Sequence, residues 1–325
     1  MRRENSSSEK KIVRIEPYYE PRMWGGSSRL IDEFHYHTGV APLGEVYNVV
    51  ALKDHADCAV PEMDRMLSEL YHDFPDWFEC ETEELPVRVN ILDPLEDLSI
   101  QIHPDDEFAR AWNGGRGKPE AWVILDAPED GHIEFGHHAR TREEFRQWSE
   151  QGQWNKLLRY LQTPKDAFIN IPTGTLHAIG PHVLTYNISR NADLTLRLYD
   201  YDRIDPASGA RRPIHPEQVV DHVNIPDKLI EFQQIPAADE WGCQVTCYWD
   251  EPGLYTLIRI QVKDKGRFLH DRFAFYTCVK GEGTINGKPI RQGETVLVPA
   301  NMGWMEFEGG MDLFLASYRN EKVCG

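Results

Sequence analysis

The feature that most constrains the fold is an alternation of apolar and polar residues at positions 98–104, which read Leu-Ser-Ile-Gln-Ile-His-Pro. A period of two is typical of a β-strand with one apolar and one polar face. Gln101 and His103 are two residues apart, so their side chains lie about 7 Å from each other on one face and can converge on one ligand. Taken alone, the pattern is more typical of a half-buried edge strand whose polar face meets water.

Three further segments repeat this alternation. Lys118 and Glu120 share one face of a predicted strand, and His177 follows a Pro-Thr-Gly-Thr turn at positions 172–175. Arg197 is flanked by leucines at 194, 196 and 198, so it lies on the polar face of its predicted strand. In a small barrel the inward faces of such strands meet. The four segments together therefore favour a shared polar site over separate edge strands whose polar faces meet water.

Gln101, His103, Glu120 and His177 together offer an amide carbonyl, two imidazoles and a carboxylate. A mixed nitrogen and oxygen set of this kind suits zinc and leaves room for a water or substrate oxygen. Manganese, iron or cobalt could occupy the same set. The pattern therefore predicts a metal site, although spacing alone does not prove that the four side chains meet.

Each of these residues also has a purely structural interpretation. His177 could hydrogen-bond only to the turn that precedes it, and Glu120 could pair with the lysine two positions earlier. Arg197 could form an ion pair with Asp200 or Asp202. These alternatives make different predictions about side-chain contacts, so the structure can distinguish them.

The charge of the chain limits its partners. A net charge of −18 offers no broad basic face for nucleic acid. The sequence has no apolar run long enough for a signal peptide or a membrane span, which predicts no membrane partner. Its cysteines form neither a CxxC pair nor a zinc motif, which favours reduced thiols and a cytoplasmic location. They are Cys58, Cys80, Cys243, Cys247, Cys278 and Cys324.

A small helical insertion is predicted at about 141–162. Positions 141–144 read Thr-Arg-Glu-Glu, which is a capping-box pattern, and apolar residues at 154, 157, 158 and 161 repeat with helical spacing. Periodicity is lost around 227–240, which suggests a connection between domains. From about residue 243, short predicted strands are separated by frequent glycines, as is typical of a β-sandwich or jelly roll.

Four motifs, at positions 98–106, 117–120, 171–180 and 196–203, resemble those of the type I mannose-6-phosphate isomerases, especially the shorter bacterial form. The resemblance covers nearly the whole chain. It implies a mainly β fold of two cupins, which are jelly-roll β-barrels. Residues 1–235 would form a metal-bearing cupin with the helical insertion, and residues 236–325 a smaller cupin-like domain without metal.

The resemblance also assigns roles to individual residues. It implies one zinc ion per chain on the four predicted ligands, a catalytic role for Arg197, and a catalytic, substrate-facing Lys118. Ser99 would lie near the phosphate of the sugar, with Lys118 and Arg197 also binding substrate. The implied reaction is the zinc-dependent interconversion of mannose 6-phosphate and fructose 6-phosphate.

Two positions depart from the family pattern. Asn187 stands where the family has a glutamate that is a candidate acid/base, and Asp97 stands where it has a lysine near the phosphate. An amide cannot transfer a proton, which leaves Lys118 with a lowered pKa or a metal-bound hydroxide as the base. Two alternatives therefore remain open, namely a non-catalytic or regulatory sugar-binding metal cupin and an isomerase of an unphosphorylated sugar. The sequence leaves the oligomeric state undetermined.

Overall fold

The chain is described by a computed structural model that covers residues 9–53, 55–205, 208–229, 232 and 235–321. Strands predominate, which confirms the mainly β prediction. Among the described residues the longest helix has nine residues, and none of their helices is long and apolar enough to cross a membrane.

The strands are β1 (Val13–Ile15), β2 (Tyr18–Tyr19), β3 (Glu45–Val49), β4 (Ala51–Leu52), β5 (Ala56–Asp57), β6 (Ala59–Val60), β7 (Arg65–Met66), β8 (Val87–Leu92), β9 (Ile100–Ile102), β10 (Glu120–Asp126), β11 (His132–His137), β12 (Leu158–Gln162), β13 (Phe168–Ile171), β14 (His177–Ile179), β15 (Leu184–Arg190), β16 (Leu196–Tyr199), β17 (Ala238–Glu240), β18 (Cys243–Asp250), β19 (Thr256–Val262), β20 (Lys265–Leu269), β21 (Ala274–Ile285), β22 (Lys288–Arg291), β23 (Thr295–Val298), β24 (Trp304–Glu308) and β25 (Met311–Ser317). The helices are α1 (Arg29–Asp32), α2 (Leu67–Asp73), α3 (Pro75–Phe78), α4 (Asp106–Asn113), α5 (Arg142–Glu150), α6 (Trp154–Leu157) and α7 (Pro216–His222), with a 3₁₀ turn at Pro61–Met63.

The chain divides into two compact units. The larger unit consists of Tyr18–Leu52 and Val87–Ile235. It contains a six-stranded sheet of order β13-β10-β15-β8-β3-β2 and a five-stranded sheet of order β12-β11-β14-β9-β16. Ile102 of β9 and Trp122 of β10 belong to the same buried cluster, so the two open sheets of this unit enclose one core.

The smaller unit combines the segment ending at Pro17, Lys53–Pro86 and the segment beginning at Pro236. Its ten-stranded sheet has the central order β1-β23-β21-β25-β19-β18-β17, with β20, β22 and β24 attached beside it. Leu313 of β25 lies in its buried apolar cluster. The turn-rich sequence after residue 243 therefore forms strands as predicted.

The structure differs from the predicted division in the N-terminal part of the chain. The segment ending at Pro17 and Lys53–Pro86 belong to the smaller unit, together with the part of the chain that begins at Pro236, rather than to the larger one. The physical reason is pairing between distant strands, because β1 forms an antiparallel ladder with β23. Local patterns do not report which distant strand becomes a partner.

The predicted helical insertion is correct in its two helices and wrong at its end. Helices α5 and α6 occupy the region from Arg142 to Leu157, but Leu158–Gln162 forms strand β12. This strand pairs with β11, and its side chains alternate between more and less buried. The edge of β11 supplies backbone hydrogen bonds, which here outweigh a short helical repeat of leucines.

Candidate metal and substrate site

Two neighbouring strands of the five-stranded sheet bring Gln101 and His177 together. Gln101 of β9 lies directly opposite His177, the first residue of β14, and Gln101 Nε2 is 3.5 Å from His177 Nε2. The turn before β14 depends on Gly174, which has a φ of +77°. A Cβ at this glycine would lie 2.8 Å from the carbonyl oxygen of His222. Both backbone conformation and packing therefore require glycine in the turn that presents His177.

Both buried histidines of the site use Nδ1 for a backbone hydrogen bond. His103 Nδ1 donates to the carbonyl of Leu194 and His177 Nδ1 to that of Thr175, each at 2.9 Å. A neutral imidazole has one N–H, so each Nε2 remains an acceptor. Burial lowers the pKa of His177 to about 4, and burial together with the Lys118 ammonium lowers the pKa of His103. Neutral imidazoles oriented in this way are ready metal ligands.

Glu120 reaches the two histidines from the six-stranded sheet. It is the first residue of β10, and its two carboxylate oxygens each lie 3.4 Å from a histidine Nε2, one on His103 and one on His177. Burial acts to raise the pKa of this carboxyl, but the charge of the Lys118 ammonium outweighs burial and holds the pKa well below its ordinary value. A buried, ionised carboxylate therefore lies between two imidazole nitrogens.

This cluster could hold a divalent metal ion. One ligand atom from each of His103, Glu120 and His177 lies within 4.8 Å of the other two. Gln101 Oε1 accepts a hydrogen bond from Ser99 Oγ at 2.9 Å. Rotating the amide by 180° would turn Oε1 toward the cluster, and the Ser99 hydroxyl could then accept from the amide nitrogen. All four predicted ligands thus lie at one place, between the two sheets of the larger unit.

Lys118 lies against the same cluster, with Nζ 3.1 Å from Glu120 Oε2 and 3.3 Å from His103 Nε2. Glu120 therefore does pair with Lys118, and His177 does bond to its turn, as the structural interpretations predicted. These contacts coexist with the convergence of the ligands. They orient the side chains and do not compete with a shared site.

Arg197 lies on β16 in register with Gln101 on β9. Its Nε is buried and has no hydrogen-bond partner in the part of the chain that the structure describes. Asp200 and Asp202, the partners suggested by the structural interpretation, accept hydrogen bonds from other arginines. The side chain of Arg197 therefore retains a donor next to the metal-ligand cluster.

A polar face of the six-stranded sheet adjoins Glu120, and most of it was not predicted. Ser189 lies directly opposite Glu120, Arg88 lies opposite Ser189, and Asn187 pairs with Asn90 two residues further along. One side-chain polar atom of each of these four neighbours is buried without a hydrogen-bond partner among the described residues. Because buried polar groups are usually paired, this face suits a ligand rich in hydroxyl groups. Polar residues at every second position of β8 and β15 were the available sequence signal.

A second buried carboxylate, Glu45, lies on β3 of the same sheet. Its Oε2 accepts from Arg22 Nε at 2.7 Å and from the Tyr47 hydroxyl at 3.1 Å, and its Oε1 accepts from Asn90 Nδ2 at 2.5 Å. Burial opposes ionisation, but Arg22 and Arg88 outweigh it and lower the pKa of Glu45. This network ties Glu45 to Arg22, Tyr47 and Asn90, and sequence reasoning assigned it no role.

Asp97 lies on the opposite side of the five-stranded sheet from His177. Its carboxylate is 3.8 Å from His132 Nε2 on β11. On that strand Phe135 is paired with His177, whereas Glu134 is paired with the exposed Tyr160 and faces the other way. The Asp97 carboxylate belongs with Glu134 and His132, so its charge is separated from the metal-ligand cluster by the sheet.

Two antiparallel β units, one enclosing a buried cluster of two histidines and a glutamate, define a cupin-type protein with a candidate metal site. Comparisons with known proteins identify the family. The family model described as phosphomannose isomerase type I, catalytic domain, matches residues 12–125. The mannose-6-phosphate isomerase ManA of Bacillus subtilis (strain 168) is 32% identical over 308 residues, which cover 91% of this chain and 95% of ManA. The chain therefore belongs to the type I mannose-6-phosphate isomerase family.

Solved structures agree with this assignment. The crystal structure of the mannose 6-phosphate isomerase from Bacillus subtilis matches with a TM-score of 0.89 and 26% identity, covering 94% of this chain and 99% of that one. A structure titled mannose 6-phosphate isomerase (holo; zinc bound) matches with a TM-score of 0.75 at 12% identity, covering 95% of this chain and 99% of that one. The second likeness concerns the fold alone. The predicted family and cupin fold are confirmed.

Proposed function

We propose that this protein interconverts mannose 6-phosphate and fructose 6-phosphate with one zinc ion at the cluster of His103, Glu120, His177 and Gln101. The observation that carries the proposal is the convergence of these ligands with Lys118 and Arg197 at one buried place. Each lies within hydrogen-bonding or cross-strand reach of another member of the group. Relatives named for this reaction support the choice of substrate.

Zinc is the metal we propose, because two imidazoles, a carboxylate and an amide oxygen form a set that it accepts while keeping a position for substrate. A solved protein of the same fold is described as zinc-bound. When bound, the ion would supply Lewis-acid polarisation of the sugar oxygens at C1 and C2. The hydrogen bonds from His103 to Leu194 and from His177 to Thr175 hold the imidazoles in the required tautomer.

The isomerisation requires a proton to leave C2 of the aldose and a proton to be delivered to C1, through an enediol-like intermediate. Lys118 is the proposed group that exchanges these protons, because its Nζ borders the cluster at which the two carbons would lie. As the neutral amine it would accept the proton from C2, and as the resulting ammonium it would return a proton to C1. Asn187 cannot perform this step, since an amide does not titrate in this range. Its buried Oδ1 is better suited to accepting a hydrogen bond from a sugar hydroxyl.

Arg197 is the proposed stabiliser of the negative charge that develops on the sugar oxygens. Burial lowers the pKa of Arg197, and the positive charges of Arg212 and Arg22 lower it further. Arg22 and Arg212 are paired with Glu45 and Asp200, whereas the buried Nε of Arg197 has no hydrogen-bond partner among the described residues. Arg197 therefore remains available to a negatively charged oxygen of the substrate.

Ser99 is proposed to contribute to substrate binding, chiefly by orienting Gln101. The residue is 2% exposed and its hydroxyl donates to the Gln101 carbonyl. A direct phosphate contact would raise KM in Ser99→Ala without changing metal content. A role in orienting Gln101 would lower metal affinity in the same variant, so one titration distinguishes the two.

Two alternatives are a non-catalytic or regulatory sugar-binding metal cupin and an isomerase of an unphosphorylated sugar. Asn187 favours the first, because this position lacks the acid/base glutamate that the family pattern implies. Asp97 favours neither, because its carboxylate lies on the far side of the sheet from the cluster.

The decisive experiment is a coupled assay of the full chain with mannose 6-phosphate and, in parallel, with free mannose. Each assay is run on purified protein, after chelation and after addition of zinc. We expect turnover only with the phosphorylated sugar, loss of turnover after chelation and recovery with zinc. Turnover of mannose alone, or binding without turnover in the zinc-loaded protein, would favour one of the two alternatives.

A further inference from the structure

The outer face of the five-stranded sheet carries a second group of potential ligands. Along β11, Ile133 and Phe135 point into the buried core, so His132 and Glu134 point to the opposite face. Asp97 reaches this face from the segment that precedes β9. One ligand atom from each of Asp97, His132 and Glu134 lies within 4.8 Å of the other two. This group, the outer cluster, lies apart from the metal-ligand cluster and on the other side of the sheet.

Glu134 is the unusual member of the outer cluster. It is only 2% exposed, yet its Oε2 has no hydrogen-bond partner among the described residues. Its Oε1 lies 3.9 Å from His132 Nε2, which is longer than a hydrogen bond. Burial raises the pKa of Glu134 to about 7, with a further contribution from the charge of Asp97. A buried carboxyl that faces another carboxylate lacks a compensating positive charge.

Arg203, which contacts Asp97, does not supply that charge. Arg203 donates to the carboxylate of Asp200 at 2.6 Å and to the backbone carbonyl of Asp97, also at 2.6 Å. It therefore contacts the main chain of Asp97 rather than the carboxylate. Tyr160, which is paired with Glu134, and Tyr201 lie beside the cluster and are neutral. His132 is the only basic side chain within ion-pair distance of Glu134 among the described residues.

We propose that Asp97, His132 and Glu134 bind a second divalent cation of the first transition row, such as zinc, manganese or cobalt. Two carboxylates and one imidazole form a donor set that such ions accept, and the imidazole disfavours magnesium and calcium, which prefer oxygen alone. The cation would supply the charge that Glu134 lacks. It would also link β11 to the segment that precedes β9. Strand β9 itself carries Gln101.

The spacing of the ligands fits this proposal after a small contraction. Ligand atoms bound at about 2.1 Å lie about 3.4 Å apart across a tetrahedron. His132 Nε2 lies 3.8 Å from Asp97 Oδ1 and 3.9 Å from Glu134 Oε1. The side chains of Asp97 and His132 are 33% and 35% exposed, so they can move inward and the cation can enter from solvent. The outer cluster has only three ligands, and two of them are partly exposed. We therefore expect it to bind a cation more weakly than the metal-ligand cluster does.

This inference does not rest on the proposed function, because counting bound ions requires no turnover. The full chain is stripped with chelator and titrated with Co²⁺, and bound cobalt is measured by visible absorption and by elemental analysis. We expect two ions per chain in the wild type, of which the weaker is lost in Glu134→Gln and in His132→Ala. In His177→Ala the tighter ion is lost and the weaker remains.

Folding of each variant is checked by circular dichroism. Asp97→Asn changes a partly exposed side chain, and it should weaken cobalt binding at the outer cluster about tenfold or more. His72→Ala is the matched control, because this exposed histidine also lies beside an aspartate, at 3.4 Å from Asp73. It should retain both ions. Saturation of the wild type at one ion, or two ions in folded Glu134→Gln and Asp97→Asn alike, would overturn the proposal and leave His132 as an ion-pair partner of the two carboxylates.

Discussion

The two units share an antiparallel architecture but differ in what their sheet faces carry. In the larger unit, the face with Glu120 also carries Asn90 and Asn187, each with a buried oxygen that has no partner in the described part of the chain. In the smaller unit, the central strands β21 and β25 direct Ile285 and Leu313 into an apolar cluster. The same architecture therefore becomes a site or a packed core according to the residues at alternate positions of a few strands.

The difference has an energetic meaning. An unpaired buried polar group costs about 1–3 kcal/mol, whereas a buried leucine stabilises its unit by about 2 kcal/mol. The larger unit thus gives up some packing energy where its ligands converge, and binding of substrate and metal can recover it. The buried cluster of β21 and β25 in the smaller unit consists mainly of apolar side chains. Substitutions in the two units should therefore separate function from stability.

The largest expected effect is that of His177→Ala in the larger unit. Removing one imidazole from the metal-ligand cluster should abolish most metal binding there. It should also lower kcat/KM by about 10³-fold or more, since polarisation by a metal stabilises the transition state by several kcal/mol. Elemental analysis and the coupled assay measure both effects. If the variant bound metal at the metal-ligand cluster as the wild type does, His177 would not be a metal ligand.

The counterpart in the smaller unit is Leu313→Ala. Leu313 is fully buried, so its truncation should lower the free energy of unfolding by about 2–5 kcal/mol. Denaturant titration measures this change, and metal content and kcat should remain those of the wild type at temperatures where the variant is folded. A loss of metal in the folded variant would show that Leu313 also affects the metal site, contrary to the proposed separation of stability from function.

Arg197→Lys should lower kcat by about 10²-fold and leave metal content unchanged. Lysine retains the charge but loses the planar guanidinium that can bind two oxygens at once. Arg211→Lys is the control, because this exposed arginine pairs only with Asp202 among the described residues and should behave as the wild type. Equal turnover in both variants would make Arg197 a structural residue.

The pH dependence of stability should include a contribution from His270 of the smaller unit. Burial lowers the pKa of His270 to about 4, with an additional contribution from Arg272 that outweighs the opposing charge of Asp250. Between pH 4 and 6.5 the unfolded chain binds the proton and the folded chain does not, so stability should rise with pH over that range. His270→Gln should reduce this rise by about 1–3 kcal/mol, as measured by urea unfolding at several pH values. An unchanged slope would contradict the assignment.

The smallest effect is expected for Asn187→Glu. A carboxylate on this face would add a proton acceptor near the proposed reacting carbons, so kcat should rise several-fold if proton transfer limits turnover. The measurement is kcat for mannose 6-phosphate in the zinc-loaded variant, with Asn187→Gln as a control for side-chain length. An unchanged or lower kcat in Asn187→Glu would mean that another step is limiting or that Lys118 alone suffices.

Much of the site could be predicted because its signals are local. Alternation with a period of two assigns His103 and Gln101 to one face of a strand, and the structure brings these residues together with Glu120 and His177. Ser189 and Arg88 follow the same rule on β15 and β8, so they could have been found in the same way. They carry no metal-ligand chemistry that would have drawn attention to them.

The sequence by itself determined the mainly β class, the family motifs and the candidate ligands of the proposed metal site, because these depend on residue type and on spacing within a few positions. The tertiary structure decided the rest. It assigned Lys53–Pro86 to the smaller unit and made Leu158–Gln162 a strand. It also placed the Asp97 carboxylate beside Glu134 and away from the metal-ligand cluster. Each of these outcomes depends on a partner distant in sequence, and the free energy of pairing with that partner outweighs the local preference of the segment.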